Sequence, residues 1–356
     1  MDPIGVGIVG CGRISDLHAL GYRDREDAKI VAVCDNKIKF AQQKADQWGV
    51  ERVYKDYQDL LADPQVHLVE LLTPHHLHAE MTITACNAGK HVSVQKPMSL
   101  DVPEANRMIL AAERAGVLLR IYENFVFYPP FVRAKEMIDA GEIGEPQMIR
   151  VHYNSGTLDH SWKVPIRSWL WRFNEKQSGG GPIIFDHGYH LFSIAQYLMG
   201  EVEKVYAWMD SSPILPTVRA DAPATIMFQF KSPQRYGVMD FSHTPKIHID
   251  SLYYADDNRV EVIGEKGILF INRCTARTVD LPELMLFRDG STTAIDVERV
   301  EWHDSFIDCT QHLIEVIKTG GDPILDGPTG KAVLQFSLAA HLSARFGQEV
   351  RPNEVR

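Results

Sequence analysis

One stretch near the amino terminus limits the folds open to this chain more than any other. Residues 4–15 read IGVGIVGCGRIS, an apolar run followed by two closely spaced glycines. Glycine lets a strand turn tightly into a helix and lets backbone N–H groups approach a pyrophosphate. The stretch therefore predicts a buried strand, a turn at Gly10 and Gly12, and a helix that begins near Ile14.

These residues alone fit an ordinary glycine-rich turn equally well, because the third position of the dinucleotide-binding fingerprint is Ser15 rather than glycine. The second apolar run, residues 29–34, favours a nucleotide site because it ends at Asp35. An acid about 20 residues past the turn can accept hydrogen bonds from an adenosine ribose and repels a 2′-phosphate. The sequence therefore favours NAD over NADP, although Asp35 can also serve as a helix cap.

Size and composition set outer limits. The chain has 356 residues, which predicts two domains, and its net charge of −10 disfavours nucleic acid as a partner. Five cysteines without paired spacing favour reduced thiols in the cytoplasm over disulfides or a structural zinc. No segment reaches the length of a membrane span, and the first strand begins too early to leave room for a signal peptide, so no membrane partner is expected.

The order of the predicted elements divides the chain in two. Up to residue 121, apolar strands alternate with helical segments, which predicts an α/β Rossmann domain with a doubly wound parallel sheet over residues 1–121. Residues 122–356 contain long alternating segments typical of strands, with few helices. They predict an α+β domain with a large, open, mostly antiparallel sheet. A helix over residues 329–346 is expected to pack back between the two domains.

Three side chains have the chemistry of a proton- and hydride-transfer site. Lys96 follows a predicted strand, and ligands bind at the carboxyl ends of parallel strands. Its ammonium can steady a reacting oxygen, although a surface lysine is the alternative. Asp186 and His190 are four residues apart and so share a helical face, and an imidazole is suited to act as a base near neutral pH. An exposed ion pair on a helix is the alternative for these two.

The motifs, in this order, resemble those of the Gfo/Idh/MocA oxidoreductases, which include glucose–fructose oxidoreductase and myo-inositol dehydrogenase. The resemblance spans nearly the whole chain and rests on the glycine turn, Asp35, Thr73-Pro74 with His78, the segment AGKHV…KP over residues 88–97, and GGG…D…H over residues 179–190. It implies a Rossmann domain, a sheet-rich second domain, and dimers or tetramers formed through that sheet. It also implies that Lys96, Asp186 and His190 are the catalytic trio.

The ends of the predicted strands, together with the family resemblance, indicate which residues bind the cofactor and the substrate. For NAD they are Gly10, Gly12, Arg13, Ile14, Asp35, Thr73, Pro74, His75, His78, Gln95 and Lys96. For the substrate they are Lys96, Asn124, Tyr153, Trp162, Arg172, Asp186 and His190. The segment 152–172 is rich in aromatic rings and planar donors, which suit a carbohydrate, although some of its tryptophans can instead pack between domains or subunits.

Three departures from the family pattern are visible in the sequence: Ser15 replaces the third glycine, Gln95 replaces the usual glutamate before Lys-Pro, and Ser193 replaces a frequent aspartate. Asn124 can either bind a sugar hydroxyl or hold a turn. His75, His76 and His78 suggest a metal site, but adjacent histidines cannot easily face one ion. We therefore expect this loop to line the cofactor, with no metal.

The sequence thus predicts an NAD-dependent oxidoreductase that transfers hydride between NAD and a secondary hydroxyl of a sugar, a glycoside or a cyclic polyol. Oxidation at C3 of a glucoside is one variant. Two alternatives stay open. One is a glycosidase-like enzyme that oxidises transiently, eliminates, adds water and retains its NAD, as some family relatives do. The other is a non-catalytic regulator that binds the cofactor.

Overall fold

The structure is a computed structural model that describes residues 3–157, 162, 170–215 and 218–356. Its first part contains a six-stranded sheet. Its strands are β1 (Ile4–Val9), β2 (Ala28–Cys34), β3 (Arg52–Tyr54), β4 (Leu68–Leu71), β5 (His91–Gln95) and β6 (Leu119–Tyr122). All pairs are parallel, in the order β3-β2-β1-β4-β5-β6. The order reverses at β1, which opens a crevice at the carboxyl ends of β1 and β4. The predicted doubly wound sheet is confirmed.

Helices connect these strands: α1 (Ser15–Leu20), α2 (Ile38–Trp48), α3 (Tyr57–Ala62), α4 (His78–Asn87) and α5 (Val102–Ala115). The sequence predicts that this first helix extends over residues 15–28, but the observed helix ends at Leu20. The chain leaves the helix at Gly21, where a Cβ atom would lie 2.4 Å from the Cβ of Thr310. This close approach of a later helix turns the next residue, Tyr22, into the interior, where it is buried.

The second part contains α6 (Pro129–Asp139), α7 (Glu175–Ser178), α8 (Gly188–Met199) and an eight-stranded sheet. The sheet strands are β7 (Pro146–Thr157), β8 (Val202–Met209), β11 (Ala224–Phe230), β12 (Tyr236–His248), β13 (Asp256–Gly264), β14 (Gly267–Ile271), β15 (Leu284–Arg288) and β16 (Ser291–Ala294), while β9 (Ser212–Leu215) and β10 (Val218–Ala220) form a separate ribbon. Among the pairs that the described residues form in this sheet, β7 and β12 run parallel and the others run antiparallel. The predicted large, mostly antiparallel sheet is confirmed.

Two carboxyl-terminal helices, α9 (Asp304–Thr319) and α10 (Gly327–Phe346), pack against the first sheet. A Cβ atom at Gly330 of α10 would lie 2.2 Å from Cγ1 of Ile121 on β6, so only glycine allows this approach. The Tyr189 hydroxyl of α8 donates to the carbonyl of the same residue, Gly330, at 2.9 Å. The helix therefore contacts both parts of the molecule. None of the described helices is both long enough and apolar enough to cross a membrane.

The glycine turn after β1 has the geometry that its sequence predicts. Gly10 has φ +97°, and a Cβ atom there would lie 2.6 Å from the Leu72 carbonyl oxygen. At Gly12, by contrast, a Cβ atom would meet nothing within 4 Å. The Ser15 hydroxyl donates to the Gly12 carbonyl at 2.6 Å and so closes the turn where the usual fingerprint has its third glycine.

We predict that Gly10→Ala lowers the free energy of unfolding by about 2 kcal/mol, because it adds both a strained φ and a backbone clash. Gly12→Ala is the matched control and should leave the unfolding midpoint almost unchanged. Urea unfolding without cofactor measures both effects. Equal losses of stability in the two variants would contradict the geometry of the turn.

Candidate active site

A buried carboxylate, Asp186, lies at the centre of the predicted site. The Lys96 ammonium at the end of β5 donates to its Oδ1 atom at 2.6 Å and to its backbone carbonyl at 2.8 Å. Arg172 donates from Nε to Oδ2 at 2.6 Å. Burial alone raises the pKa of a carboxyl, but the two cations outweigh burial and hold the pKa of Asp186 well below its usual range. Asp186 is therefore an anion that holds Lys96 in place.

Asp186 lies in a turn of π-helix, Pro182–His187, that directly precedes α8. The Asp221 carboxylate caps this turn by accepting backbone N–H bonds from Ile183 at 2.8 Å, Ile184 at 2.7 Å and Phe185 at 3.3 Å. A negative charge at exposed N–H groups stabilises the start of a helix. Asp221 thereby fixes the backbone that carries Asp186.

His190 lies in the first turn of α8, and two groups fix its imidazole ring. Its Nδ1 atom is 2.6 Å from Oε1 of Glu123, which also accepts from the Phe125 N–H at 2.9 Å. The Phe125 ring stacks on the imidazole, with centroids 4.0 Å apart. Because Nδ1 is engaged, Nε2 is the nitrogen left to act on a substrate.

The predicted pair of Asp186 and His190 does not form a mutual hydrogen bond. The π-helical turn separates them from regular helical spacing, and each has its own partner, Lys96 or Glu123. The two pairs are nevertheless close neighbours. Burial lowers the pKa of His190 well below its usual value, and the charge of Lys96 lowers it further. Lys96, from one sheet, and His190, from the other part of the molecule, thus act on each other electrostatically.

The residues predicted to hold NAD follow or end β1, β2, β4 and β5, at the carboxyl edge of the parallel sheet. Asp35 accepts from the Cys11 N–H at 3.0 Å and from the Lys37 N–H at 2.8 Å, so its carboxylate fixes the glycine turn as well as the end of β2. The Thr73 hydroxyl is buried and has no hydrogen-bond partner among the described residues. Open space at Gly12, a helix start and an unsatisfied hydroxyl fit the phosphates and riboses of a dinucleotide.

The histidine loop that follows Thr73-Pro74 is tied to neighbouring backbone. The Nδ1 atom of His75 is 2.8 Å from the Ser178 carbonyl, and its Nε2 atom is 3.6 Å from Oδ1 of Asp186. Both ring nitrogens of His78 lie 2.8 Å from carbonyl oxygens, those of Pro97 and Thr73. Within the described ranges, no group of three or more histidine, cysteine or acidic side chains is arranged to hold a metal ion.

The residues predicted to bind substrate are placed in different surroundings. Tyr153 is buried, with its ring 4.6 Å from the ring of His187. Trp162 packs edge-on against Tyr253, and the guanidinium of Arg13 lies 4.5 Å from its ring centre, so this tryptophan connects the glycine turn to the second part of the molecule. His160, Arg167 and Trp169, which belong to the same aromatic segment, lie outside the described residues.

Asn124 and Ser193 are both almost fully buried. The amide nitrogen of Asn124 donates to the Ser305 hydroxyl of α9 at 2.8 Å. This contact favours the turn-holding interpretation of Asn124 over the sugar-binding one. Ser193 lies on α8 with a buried hydroxyl that meets no partner in the described part of the chain.

Sequence reasoning missed Glu123 and Asp221. Glu123 directly follows β6, at the strand edge where ligands bind, and that position is a signal for it. Asp221 has no such signal, because nothing in its neighbourhood along the chain indicates contact with residues 183–185.

The fold and this site define a two-domain oxidoreductase that uses a dinucleotide. A family model for oxidoreductases with an NAD-binding Rossmann fold, of the Gfo/Idh/MocA type, matches residues 4–123, and the Gfo/Idh/MocA C-terminal domain matches residues 131–270. The chain belongs to the Gfo/Idh/MocA oxidoreductase family, as its motifs predicted, and NAD is its cofactor.

Relatives in two organisms illustrate the similarity. The chain is 30% identical to a myo-inositol 2-dehydrogenase of Thermotoga maritima, over 98% of this chain and 99% of the relative. It is 31% identical to a D-glucoside 3-dehydrogenase of Escherichia coli K12, over 98% and 97% of the two chains. Among solved structures, a probable dehydrogenase from Thermotoga maritima has a TM-score of 0.80 at 28% identity, covering 99% of this chain and 100% of the other.

Glu123 and His190 couple stability to pH with opposite signs. Burial raises the pKa of Glu123 from 4.5 to about 7, whereas burial lowers the pKa of His190 well below 6.5. When the pKa of a carboxyl is higher in the folded protein than in the unfolded chain, the group contributes stability that is complete at a pH below its unfolded-state pKa. That stability is lost as pH rises to the folded-state pKa. A lowered imidazole pKa contributes stability that is complete above 6.5 and is lost as pH falls. In the intact pair the two dependences oppose each other.

We predict that replacing either Glu123 or His190 reveals the pH dependence of stability that the other residue contributes. Relative to wild type, Glu123→Gln should lose stability as pH falls from about 7 to about 5, and His190→Gln should lose stability as pH rises over the same interval. Urea unfolding at the two pH values measures both changes. For His190→Gln, in which the Glu123 dependence remains, the loss is expected at about 2 kcal/mol from about 1.4 kcal/mol per pKa unit. Slopes of the same sign in both variants would contradict the assignment.

Proposed function

We propose that this protein catalyses hydride transfer between NAD and a secondary hydroxyl of a sugar, a glycoside or a cyclic polyol. The observation that carries the proposal is the meeting of two buried pairs, Lys96–Asp186 and His190–Glu123, at the carboxyl end of β5. One pair supplies a fixed positive charge, and the other supplies a base whose second nitrogen is held. The relatives that act on myo-inositol and on D-glucosides support this class of substrate.

His190 takes the hydroxyl proton in this mechanism. Its Nδ1 atom faces Glu123, and burial favours the neutral imidazole, so Nε2 can carry a lone pair toward the substrate. Glu123 accepts from Nδ1 and stabilises the positive charge that develops on the ring as the proton arrives. Phe125, stacked on the ring, restricts its rotation.

Lys96 steadies the substrate oxygen as negative charge develops on it. An ammonium held in a site with little water stabilises an alkoxide strongly and needs little reorganisation. Asp186 fixes the direction of this ammonium, and Arg172 shares the carboxylate so that the whole set stays ionised. NAD, when bound, supplies the nicotinamide that accepts the hydride.

The other two interpretations of the sequence gain no support over this one. The relatives are named as dehydrogenases, and both buried pairs are present. A screen of sugars, glycosides and inositols with NAD tests the proposal. NADH that accumulates in proportion to substrate supports it, whereas release of free sugar without added NAD would indicate an enzyme that retains its cofactor.

We predict that Lys96→Ala lowers kcat by about 10²–10³-fold or more, because the developing oxyanion loses its charged donor. This variant should still bind NAD, as measured by the quenching of tryptophan fluorescence. Lys176→Ala, which removes an exposed lysine on the nearby α7, is the control and should retain turnover. Turnover that survives in Lys96→Ala would refute the role given to this side chain.

We also propose that the outward face of the eight-stranded sheet joins copies of this chain into a dimer or tetramer. This face carries exposed apolar side chains on several strands, including Trp208 on β8, Met227 on β11 and Phe287 on β15. Exposed apolar patches on a sheet are typical of association surfaces.

All five cysteines are unpaired and buried, which fits the reducing cytoplasm as the location of this protein.

We predict that Trp208→Glu shifts the protein toward monomers, because it places a charge in an apolar contact. Phe346→Glu is a matched control, since Phe346 is similarly exposed but lies at the end of α10, which packs against β8, rather than on a strand of the outward face. Light scattering coupled to size exclusion measures the mass of each variant. A wild-type monomer, or dissociation caused equally by both changes, would contradict the proposed interface.

A further inference from the structure

A fully buried carboxylate, Glu70 on β4, lies beneath the floor of the nucleotide crevice. The Tyr22 hydroxyl donates to its Oε1 atom at 2.7 Å, and Nδ1 of His18 is 2.6 Å from its Oε2 atom. The guanidinium of Arg120 approaches to 3.8 Å. Burial raises the pKa of a carboxyl, but the hydrogen bonds from His18 and Tyr22 and the charge of Arg120 outweigh burial and hold the pKa of Glu70 below its usual value. Glu70 is therefore an anion with a defined set of donors.

The hydrogen bonds around Gln95 fix which nitrogen of His18 carries its proton. The Gln95 amide oxygen accepts from the Lys96 backbone N–H at 3.2 Å, and its amide nitrogen lies 2.8 Å from Nε2 of His18. The amide nitrogen can only donate, so Nε2 must offer a lone pair. Nδ1 then carries the proton and donates it to Glu70.

These hydrogen bonds connect the buried anion Glu70 to Lys96, the residue proposed to steady the substrate oxygen. Glu70 orients His18, His18 orients the Gln95 amide, and the amide oxygen receives the backbone N–H of Lys96. The ring of His18 also packs on Tyr122, with centroids 3.8 Å apart, which limits its rotation. Gln95 is the half-buried member through which this cluster reaches the crevice.

We propose that His18, held by Glu70, is a positioning residue that fixes Gln95 and through it the direction in which Lys96 leaves the end of β5. Glutamine at position 95 matches a histidine whose Nε2 accepts. A carboxylate at this position would instead require a second proton on the ring. The part of this inference that concerns turnover rests on the proposed function, whereas the protonation state and the placement of Lys96 do not.

The first test reads the histidine ring directly, without substrate. In spectra of protein with ¹⁵N-labelled histidine, His18 should appear as one neutral tautomer with its proton on Nδ1. In Gln95→Glu the same ring should become doubly protonated, because both nitrogens then face carboxylates. A His18 proton on Nε2 in the wild type, or a ring unchanged in Gln95→Glu, would overturn the proposal.

The second test measures turnover on a substrate found in the panel. His18→Phe keeps a ring on Tyr122 but loses both nitrogens, and Gln95→Met removes the amide at the half-buried edge. Each should lower kcat by roughly 10–100-fold, since small misplacements of a catalytic group are costly, while in His18→Phe the Kd for NAD changes less than about threefold. Gln95→Glu should retain more turnover than Gln95→Met, because its carboxylate keeps both contacts.

Tyr22→Phe is the matched control. It removes one buried hydrogen bond to the same Glu70 carboxylate without touching Gln95, so Tm should fall while kcat is retained. An equal loss of kcat in Tyr22→Phe and His18→Phe would indicate general loosening and overturn the proposal. If the wild type turns over none of the substrates, NAD-bound crystal structures of Gln95→Met decide: Lys96 should leave its 2.6 Å contact with Asp186, and an unmoved Lys96 would refute the inference.

Discussion

The ion pair between Lys96 and Asp186 joins the two parts of the molecule at the point where the chemistry is proposed to occur. Lys96 ends a strand of the parallel sheet, and Asp186 lies in the π-helical turn of the second part. An unpaired buried charge is costly, and removing one partner of such a pair typically costs about 3–5 kcal/mol. The two parts must therefore meet in one arrangement, and the same arrangement brings His190 into the range of the Lys96 charge.

Two carboxyl groups near this point have opposite pKa shifts for clear physical reasons. Asp186 is surrounded by cations and stays ionised, whereas Glu123 is buried next to an imidazole and has a pKa of about 7. Separation of pKa values by environment is how a site assigns fixed charge to one group and proton transfer to another. The Lys96–Asp186 pair holds charge, and the His190–Glu123 pair can gain or lose a proton.

The sequence was sufficient for the architecture and for the side chains that belong to local motifs. Apolar periodicity and glycine spacing predicted the parallel sheet and the crevice, and Lys96, Asp186 and His190 were found because each follows a recognisable strand end or glycine run. Glu123, Asp221 and the His18–Gln95 contact depend on residues far apart in the chain, which no local pattern reports. The early end of α1 has the same origin, because Thr310 of α9 packs against Gly21.

The central claim is that a hydrogen leaves a carbinol carbon as hydride and arrives at NAD while His190 takes the hydroxyl proton. A single turnover with substrate deuterated at that carbon, started by mixing with NAD, tests this most directly. The account predicts one deuterium on the nicotinamide ring of the NADH released, and a slower transfer step than with the unlabelled substrate. Product formed with the deuterium lost to water, or with no reduced cofactor released, would contradict it.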